Sequence, residues 1–514
     1  MKNLIISFDL GTGGNKASLY TAEGICLASA FEPYDTHYPR VGWHEQAPQE
    51  WWRAVVASTQ KLIAISAVNA HDIAALGISG HSLGAVPVDR DGKLLREYTP
   101  IWSDIRAQEQ AADFFTRVNA DHWYSTTGNG FPAACYTVFK VMWYRDHEPE
   151  MFRRVDKILG TKDYINYRLT GVMKTDHSYA SGTGVYNLLA KGYEAEFITA
   201  SGLSAELWPE ITASTDVLGR LTPEAAKELG LNEATRVVCG GVDNSCMALG
   251  AKNTRDGRVY TSLGSSAWIA VSSTRPVLDT RYKPYVFAHV IPGMYTSAVS
   301  IFSAGTTYNW VKDNICQDLV AEAASSGEDV YLLMNREAAK APVGSNKLLF
   351  NPSLAGGNSQ DPSAHLRGAY IGLDLKHGQS DMIRSAMEGI AMNLRLRLDL
   401  LRKYTRLEDE ILFVGGGAKS RFYLGIFADM FNTRIIKSSI DQDAAALGAA
   451  ALAAVGCGLW PDFSRIDDIH NTVEVVEPVK ENHLFYERLL PVFERSTDAL
   501  ANLGEQLHEI DLES

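Results

Sequence analysis

The chain has 514 residues, of which 46% are hydrophobic and 21% are charged, and its formal net charge is −13 at pH 7. This length favours at least two domains. The acidic balance disfavours a general nucleic-acid-binding protein, because such a protein needs a basic face. The 6 cysteines form no CxxC pair, and no apolar segment reaches the roughly 18 residues of a membrane span. We therefore expect a globular cytoplasmic protein that neither crosses a membrane nor binds nucleic acid.

The N-terminal segment combines an apolar strand pattern with a glycine turn. Residues 4–8 are predicted to form a buried strand, and residues 17–20 a second strand after the turn. Asp9, Gly11 and Thr12 occupy this turn, where a carboxylate could attract phosphate through a bound Mg²⁺ ion. A plain hairpin with a turn aspartate explains the same residues, and both interpretations stay open.

A second polar turn follows the next predicted strand. A core-facing helix is expected over residues 49–65 and a strand over residues 74–79. The strand runs into His81, Ser82 and Leu83, which are flanked by glycines, and α/β proteins place ligand contacts at such strand ends. A lone histidine is more often structural than functional, so that alternative stays open for His81.

Trp102, Asp104 and Arg106 form a short cluster farther along the chain. Together they can present an aromatic face, an acceptor and a fork of donors to a polyol. A surface salt bridge beside a half-buried tryptophan is the alternative. Residues 175–183, which are rich in hydroxyl groups and small side chains, are predicted to form a polar loop.

Asp243 follows a predicted strand over residues 236–239 and two glycines, and the residues after it can start a helix. The glycines let a ligand approach the backbone closely. Most aspartates at such a turn are N-caps. Asp243 nevertheless lies near the middle of a chain whose two halves each open with a similar glycine turn, which makes it a candidate general base.

The second half of the chain repeats the strand, turn and strand plan over residues 258–271. Later, a predicted buried strand over residues 411–414 leads into three successive glycines and then a helix. Glycines at a strand-to-helix turn let a flat or bulky ligand lie against the backbone, with helix N–H groups facing it. Nucleotide binding is the favoured interpretation of this turn.

With these segments in place, the chain resembles the FGGY family of carbohydrate kinases over nearly its whole length. The most specific part is residues 368–373 followed by residues 381–388, which look like a full match to the second signature of the family. The first signature matches only approximately, around Thr137, Lys140 and Trp143. Within the family, the chain is most similar to xylulokinases.

The resemblance implies an α/β fold with two ribonuclease-H-like domains of the actin-like ATPase superfold around a central cleft. Residues 1–250 would form an N-terminal, sugar-binding domain. Residues 251–514 would form a C-terminal, ATP-binding domain with peripheral C-terminal helices. The implied activity is phosphorylation of a hydroxyl of a small sugar with ATP and Mg²⁺. The oligomeric state stays open, a homodimer included.

The resemblance also implies roles for individual residues. Asp243 would be the catalytic base, and a pKa near the usual value of an aspartate would suffice to keep it ionised at neutral pH. Asp9 would take part in catalysis by holding Mg²⁺ through water. The residues that would bind the nucleotide and its phosphates are Gly11, Thr12, Gly264, Ser265, Gly305, Gly416, Gly417 and Lys419. The residues that would contact the sugar are His81, Ser82, Leu83, Trp102, Asp104, Arg106, Asp243 and Asn244.

The expected substrate is D-xylulose, converted to D-xylulose 5-phosphate, but one motif departs from the xylulokinase pattern. Where a typical xylulokinase has Gln-Met-His, this chain has His81, Ser82 and Leu83. Ribulose, L-xylulose and erythritol are therefore alternatives, and glycerol is less favoured.

Two other classes of protein compete with a sugar kinase. One is a non-catalytic protein of the actin-like ATPase superfold. The other is a nicotinamide-dependent oxidoreductase that uses the N-terminal glycine turn, which the predicted hairpin disfavours, because a dinucleotide turn leads into a helix.

Overall fold

The computed structural model describes residues 3–440 and 443–510. The chain divides into two compact units. The first unit contains the described residues of the ranges Met1–Asp256, Ser272–Ser297 and Asp443–His470. The second unit contains the described residues of the ranges Gly257–Val271, Ala298–Gln442 and Asn471–Ser514.

The strands and helices are labelled in chain order. The strands β1 to β24 are Leu4–Leu10, Gly14–Tyr20, Cys26–Pro33, Glu45–Gln46, Ile73–Gly80, Val86–Val88, Thr99–Pro100, Lys157–Leu159, Lys174–Asp176, Tyr186–Asn187, Gly192–Tyr193, Glu210–Thr212, Val217–Arg220, Arg236–Val238, Gly241–Val242, Val259–Leu263, Ala267–Ser273, Tyr285–Ala288, Tyr295–Ile301, Leu349–Asn351, Ala369–Ile371, Glu410–Val414, Arg434–Ser438 and Thr472–Val476. The α-helices α1 to α18 are Pro48–Ser66, Gln108–Phe114, Ala120–Thr127, Thr137–His147, Pro149–Phe152, Thr161–Thr170, His177–Ala180, Ala195–Ser201, Pro223–Leu229, Asp243–Gly250, Gly305–Ile315, Gln317–Ser326, Val330–Ala338, Gln379–Tyr404, Arg421–Phe431, Ala444–Gly456, Arg465–Ile469 and Lys480–His508.

The first unit is built on a mixed sheet with the strand order β13-β14-β5-β1-β2-β3, in which β15 also pairs with β5. The hairpin strands β1, β2 and β3 are antiparallel, whereas β1, β14 and β15 run parallel to β5. The expected hairpin around the N-terminal glycine turn is confirmed, and a dinucleotide-type turn into a helix is excluded at this place.

Helices cover the N-terminal strands on both faces, which explains their continuous apolar sequence. Leu4, Ile6, Phe8 and Leu10 belong to a cluster that includes Trp51 on α1. Helix α16, although it comes more than 360 residues after β5 in the chain, packs against β1 and β5. The first unit therefore includes a helix that lies in the sequence between two segments of the second unit.

The sheet of the second unit includes the strands β19, β17, β16, β22, β23 and β24 in that order. Strands β16 and β17 form an antiparallel hairpin, and β22 runs parallel to β16. This arrangement confirms the predicted repeat of the N-terminal strand, turn and strand plan. The predicted α/β class is likewise confirmed in both units.

One local prediction is wrong. Residues 175–183 were expected to form a polar loop, but β9 ends at Asp176 and α7 begins at His177. The Asp176 carboxylate caps α7 by accepting the backbone N–H groups of Ser178 and Tyr179 at 2.9 and 3.3 Å. A side chain that satisfies the first N–H groups of a helix stabilises its start.

Within the described ranges, none of the helices has the length and hydropathy required to cross a bilayer.

Candidate active site

Asp9 lies at the carboxyl end of β1, beside the central strand β5. Its carboxylate accepts a hydrogen bond of 3.0 Å from the hydroxyl of Ser79 on β5. Asp9 is also the register partner of Lys16 on β2, and Lys16 forms an ion pair with Asp443. Burial raises the pKa of the Asp9 carboxyl, while the hydrogen bond from Ser79 and the charge of Lys16 act in the opposite direction.

Asp243 is the first residue of α10 and is half-buried. The N-cap position belongs to Val242, so the interpretation of Asp243 as a simple N-cap is wrong. Its carboxylate accepts the N–H group of Asn244 at 2.8 Å. Burial, assisted by the negative charge of Asp9, raises the pKa of Asp243 to about 7. Burial, which the sequence does not reveal, thus places this pKa above the usual value of an aspartate.

The topology of the sheet explains why these two carboxylates influence each other. Ser79 is the register partner of Asp9 on one side of β5 and of Gly241 on the other side. Asp243 follows Gly241 by two residues, so both carboxylates come from the carboxyl ends of parallel strands next to β5. Ligands of α/β sheets bind at this edge.

The glycine turn after Asp9 is held by three side chains. Tyr34 donates to the carbonyl of Gly11, and Gln46 donates to the carbonyl of Thr12 at 2.7 Å. The indole N–H of Trp102 donates to the hydroxyl of Thr12 at 3.0 Å. The structure thus brings the predicted sugar contact Trp102, which is 39% exposed, next to the predicted phosphate contact Thr12.

His81 is buried at the end of β5, where its ring meets Trp51 edge-on at 5.4 Å between centroids. Its Nδ1 lies 3.2 Å from the hydroxyl of Thr161. Burial lowers the pKa of His81 to about 3, so the ring is neutral at physiological pH. Its Nε2 is fully buried and has no hydrogen-bond partner within the described part of the chain.

The two residues after His81 face different surroundings. Ser82 is half-buried, whereas Leu83 is 1% exposed and packs in an apolar cluster with Tyr136 and Val138. Leu83 also has a φ of +60°, an unusual conformation for a branched side chain. Ser82 is therefore the member of this pair that a ligand can reach in the described conformation.

Asp104 and Arg106 form a buried ion pair, so the expected alternative of a surface salt bridge is wrong. The Arg106 guanidinium lies 2.7 Å from Asp104 and 2.8 Å from Glu45. It also lies 4.0 Å from the centroid of the Trp43 ring. The carboxylate of Asp104 additionally accepts the backbone N–H of His44 at 2.7 Å. Asp104 is well satisfied, whereas Nη1 of Arg106 is buried without a hydrogen-bond partner in the described part of the chain.

A cavity of about 460 Å³ lies within the second unit. All six residues of this unit that were predicted to bind the nucleotide line it: Gly264, Ser265, Gly305, Gly416, Gly417 and Lys419. The sequence analysis missed Tyr308 and Tyr331, which also line it and whose rings stack at 6.0 Å between centroids. Their spacing carries no sequence signal that links them to the glycine turns.

Two of these glycines differ in what surrounds them. A Cβ atom at Gly417 would lie 2.4 Å from a side-chain carbon of Leu263, whereas a Cβ atom at Gly416 would meet nothing within 4 Å. Packing therefore requires glycine at position 417 but not at position 416. At position 416 the missing side chain leaves room for a ligand against the backbone.

The Mg²⁺ expectation was tested against the chemistry of the residues present. Among the residues in the ranges 3–440 and 443–510, no group of three or more His, Cys, Asp or Glu side chains could hold a metal ion. The carboxylate of Asp9 accepts from the hydroxyl of Ser79, and the exposed Thr12 follows three residues later in the turn. This set fits an ion that keeps most of its water and binds through phosphate oxygens, as Mg²⁺ commonly does.

Residues 4–250 match the N-terminal domain of the FGGY family of carbohydrate kinases, and residues 259–457 match its C-terminal domain. Xylulose kinase from Bacillus subtilis (strain 168) is 33% identical to the chain over 90% of both sequences. Ligand-bound xylulose kinase from Lactobacillus acidophilus superposes with a TM-score of 0.89 at 27% identity, covering 98% of this chain and 100% of that one. Gluconate kinase from the same organism superposes with a TM-score of 0.88 at 26% identity, covering 99% and 100%.

Proposed function

The chain belongs to the FGGY family of carbohydrate kinases, and from this premise we propose that it transfers the γ-phosphoryl group of ATP to D-xylulose, giving D-xylulose 5-phosphate. The observation that carries this substrate is the 33% identity to a xylulose kinase over 90% of both sequences. The similar superposition of a gluconate kinase means that fold alone does not select the sugar.

Asp243 is the proposed general base. Phosphoryl transfer requires a group that accepts the proton of the attacking hydroxyl. A base is most effective when its pKa lies near the working pH, and the pKa of Asp243 is about 7. Its side chain is half-buried at the sheet edge where Asp9 also lies, which supports a shared site for the two carboxylates.

Asp9 and Thr12 are the proposed contacts of the first unit with Mg²⁺ and phosphate. When bound, Mg²⁺ would neutralise charge on the phosphate oxygens. Asp9 would orient the water molecules of the ion, and the hydrogen bond from Ser79 would hold the carboxylate in place. Gly11 keeps the turn small enough for phosphate to approach the backbone.

We propose that residues 1–250 bind the sugar and that residues 251–514 bind ATP. The cavity of about 460 Å³ in the second unit has a volume in the usual range for such ligands. Helix α11 begins at Gly305, a residue that lines the cavity. The N–H groups of Gly305 and Thr306 already donate to the carbonyls of Gly264 and Ser265 at 2.9 and 3.0 Å, so the positive end of the helix dipole is what would favour the phosphates of the nucleotide.

The sugar contacts are proposed at three places in the first unit. Trp102 offers a partly exposed aromatic face, Ser82 a reachable hydroxyl, and His81 a neutral ring nitrogen. Arg106 and Asp104 would act mainly by supporting Trp102, because their charges already satisfy each other. Asn244, next to the base, is the remaining proposed contact.

The test is a measurement of ADP release with Mg²⁺ and ATP across D-xylulose, D-ribulose, L-xylulose, L-ribulose, erythritol, xylitol, glycerol and gluconate. We expect D-xylulose to give the highest kcat/KM and a 5-phosphate product, which phosphorus NMR would identify. A higher kcat/KM for another sugar would replace the substrate while keeping the kinase. The absence of ADP release with every compound would overturn D-xylulose as the substrate.

A further inference from the structure

We infer that Ser178 is a positioning residue for Asp243, because its hydroxyl holds the backbone that leads into α10. The inference rests on the proposed role of Asp243 as the base and adds a residue that does not itself reach the substrate. Ser178 lies in α7, far from Asp243 in sequence, and is fully buried.

The hydroxyl of Ser178 links two groups. It accepts the backbone N–H of Val242 at 3.0 Å, and it donates to the carboxylate of Asp176. Val242 is the N-cap residue of α10, immediately before Asp243. The backbone that leads into Asp243 is thus held on one side by the pairing of β15 with β5 and on the other by the hydroxyl of Ser178.

A buried charge cluster fixes Asp176 in turn. Its carboxylate accepts a hydrogen bond of 2.8 Å from Ser214 and lies 3.0 Å from the ammonium group of Lys162. Lys162 also lies 2.6 Å from Asp163 and 3.3 Å from the carbonyl oxygen of Cys239. All of these charged side chains are almost completely buried, so their partners are well defined and costly to change.

The buried charge cluster and Ser178 thus hold the turn that leads into α10 at two points. The Cys239 carbonyl accepts from Lys162 and, at 2.7 Å, from Asn166, while the Val242 N–H donates to Ser178. Between these points lie the two glycines of the turn.

The glycines leave the turn little freedom on its other side. Gly240 has a φ of +73°, and a Cβ atom there would lie 2.1 Å from the carbonyl oxygen of Ile78 on β5. A Cβ atom at Gly241 would lie 2.3 Å from a side-chain carbon of Val290 and 3.2 Å from the hydroxyl oxygen of Ser178. Loss of this hydroxyl would remove the partner of the Val242 N–H and leave the peptide before Asp243 held by its pairing with β5.

Ser214 provides a matched control. Both serine hydroxyls donate to the same carboxylate oxygen of Asp176, but of these two hydroxyls only that of Ser178 contacts Val242. The backbone carbonyl of Ser214 accepts the N–H of Gly240 at 2.9 Å, and an alanine keeps this bond. Ser178→Ala and Ser214→Ala therefore weaken the charge cluster similarly and differ in their connection to Asp243.

The experiment compares these two variants with wild type and with Asp243→Asn, using the full chain and the sugar that gives the highest rate. We expect Ser178→Ala to lower kcat about tenfold or more, because small displacements of a catalytic group have large effects on rate. KM for sugar and for ATP should stay within about twofold, since the substrate contacts are unchanged. Ser214→Ala should keep kcat within about twofold of wild type at a similar Tm.

Hydrogen exchange of the peptide that contains Val242 gives a second readout, which does not depend on activity. It should become faster in Ser178→Ala and stay unchanged in Ser214→Ala. If the two variants have equal kcat and equal exchange, or if the loss appears in KM alone, Ser178 is not a positioning residue. Near-normal turnover in Asp243→Asn would instead overturn the role of the base, and the inference with it.

Discussion

Ser79 donates a hydrogen bond of 3.0 Å to the carboxylate of Asp9. The same serine is the register partner of Gly241, two residues before Asp243. The two acidic groups thus come from strands on opposite sides of the central strand β5. Ser79 on β5 is a register partner of both of these strands. Because like charges disfavour each other, this arrangement contributes to the raised pKa of Asp243.

Replacement of Asp243 by asparagine should lower kcat by about 10²-fold or more, because an amide cannot accept the proton of the sugar hydroxyl. ADP affinity should stay close to the wild-type value, since the cavity proposed for the nucleotide lies within the second unit. Steady-state kinetics and calorimetric titration with ADP would measure the two quantities. Asp113→Asn, at an exposed carboxylate of the first unit, is the matched control and should behave as wild type. Turnover of Asp243→Asn close to that of the control would exclude the base.

The activity should depend on pH through the same carboxyl group. Asp243 acts as a base only when it is ionised, and its pKa in the free protein is about 7. The value of kcat/KM for the sugar should therefore rise about tenfold in total between pH 6 and pH 8, with most of the rise below pH 7. A profile that is flat across this range, measured at saturating ATP and constant ionic strength, would contradict the assignment.

Burial of Asp243 should also affect stability. In the unfolded chain its carboxyl ionises near the ordinary value of 3.8, whereas in the folded protein it ionises near 7. Between these values the folded state binds more protons, so this group's contribution to stability falls as pH rises and stays low above pH 7. Asparagine does not ionise, so Asp243→Asn does not lose this contribution to stability as the pH rises. The Tm of the variant relative to wild type should therefore increase from pH 5 to pH 8. A difference in Tm that is independent of pH would contradict the buried environment of the carboxyl.

Substitutions at Ser82 and Leu83 should affect different properties. The change at Ser82 should affect sugar binding, and the change at Leu83 should affect stability. Ser82→Ala should raise KM for the sugar with little change in Tm, because the half-buried hydroxyl is a proposed substrate contact. Leu83→Ala should lower the free energy of unfolding by about 2 to 4 kcal/mol, since it empties part of an apolar cluster. Urea unfolding and sugar-dependent kinetics on both variants would check this. An unchanged sugar KM in Ser82→Ala would remove Ser82 from the sugar site.

Gly416 and Gly417 form a second matched pair. Gly416→Ala should leave Tm unchanged but weaken ADP binding about tenfold, because its methyl group would enter open space in the proposed nucleotide site. Gly417→Ala should lower Tm, because its methyl group would overlap Leu263. Thermal unfolding and ADP titration distinguish the two effects. ADP affinity that is unaffected by Gly416→Ala would mean that the nucleotide does not lie against this residue.

The sequence was sufficient for features that depend on local pattern. The apolar run at residues 4–8, the glycine turn after Asp9 and the helix that begins at Asp243 are all present in the structure. Each is determined by hydrophobic periodicity or by glycine, and these signals act over a few residues. The sequence also predicted a common site for Gly264, Gly305 and Gly416, from the repeated strand, turn and strand plan together with the family resemblance, and these residues line one cavity.

Features that depend on strand order and burial could not be predicted. Lys16 and Asp443 form an ion pair across 427 positions of the chain, and no local pattern links them. The hydrogen bond between Ser79 and Asp9 can be predicted only if β5 is known to lie next to β1. The burial of Leu83 was missed because a polar, glycine-rich turn suggests an exposed loop, whereas the surrounding helices cover it.

The position of α16 has a consequence for how the protein is made. This helix packs on β1 and β5, and a Cβ atom at Gly77 would lie 2.1 Å from the carbonyl oxygen of Ala449. A ribosome that has synthesised only the first 250 residues has therefore released a sheet with one face still uncovered. Completion of the first unit must wait until α16 has been translated, after residues 298–440 of the second unit, so the nascent chain carries exposed apolar surface while more than 190 further residues are added. A truncated gene that ends near Gly250 should accordingly yield a product that depends on chaperones.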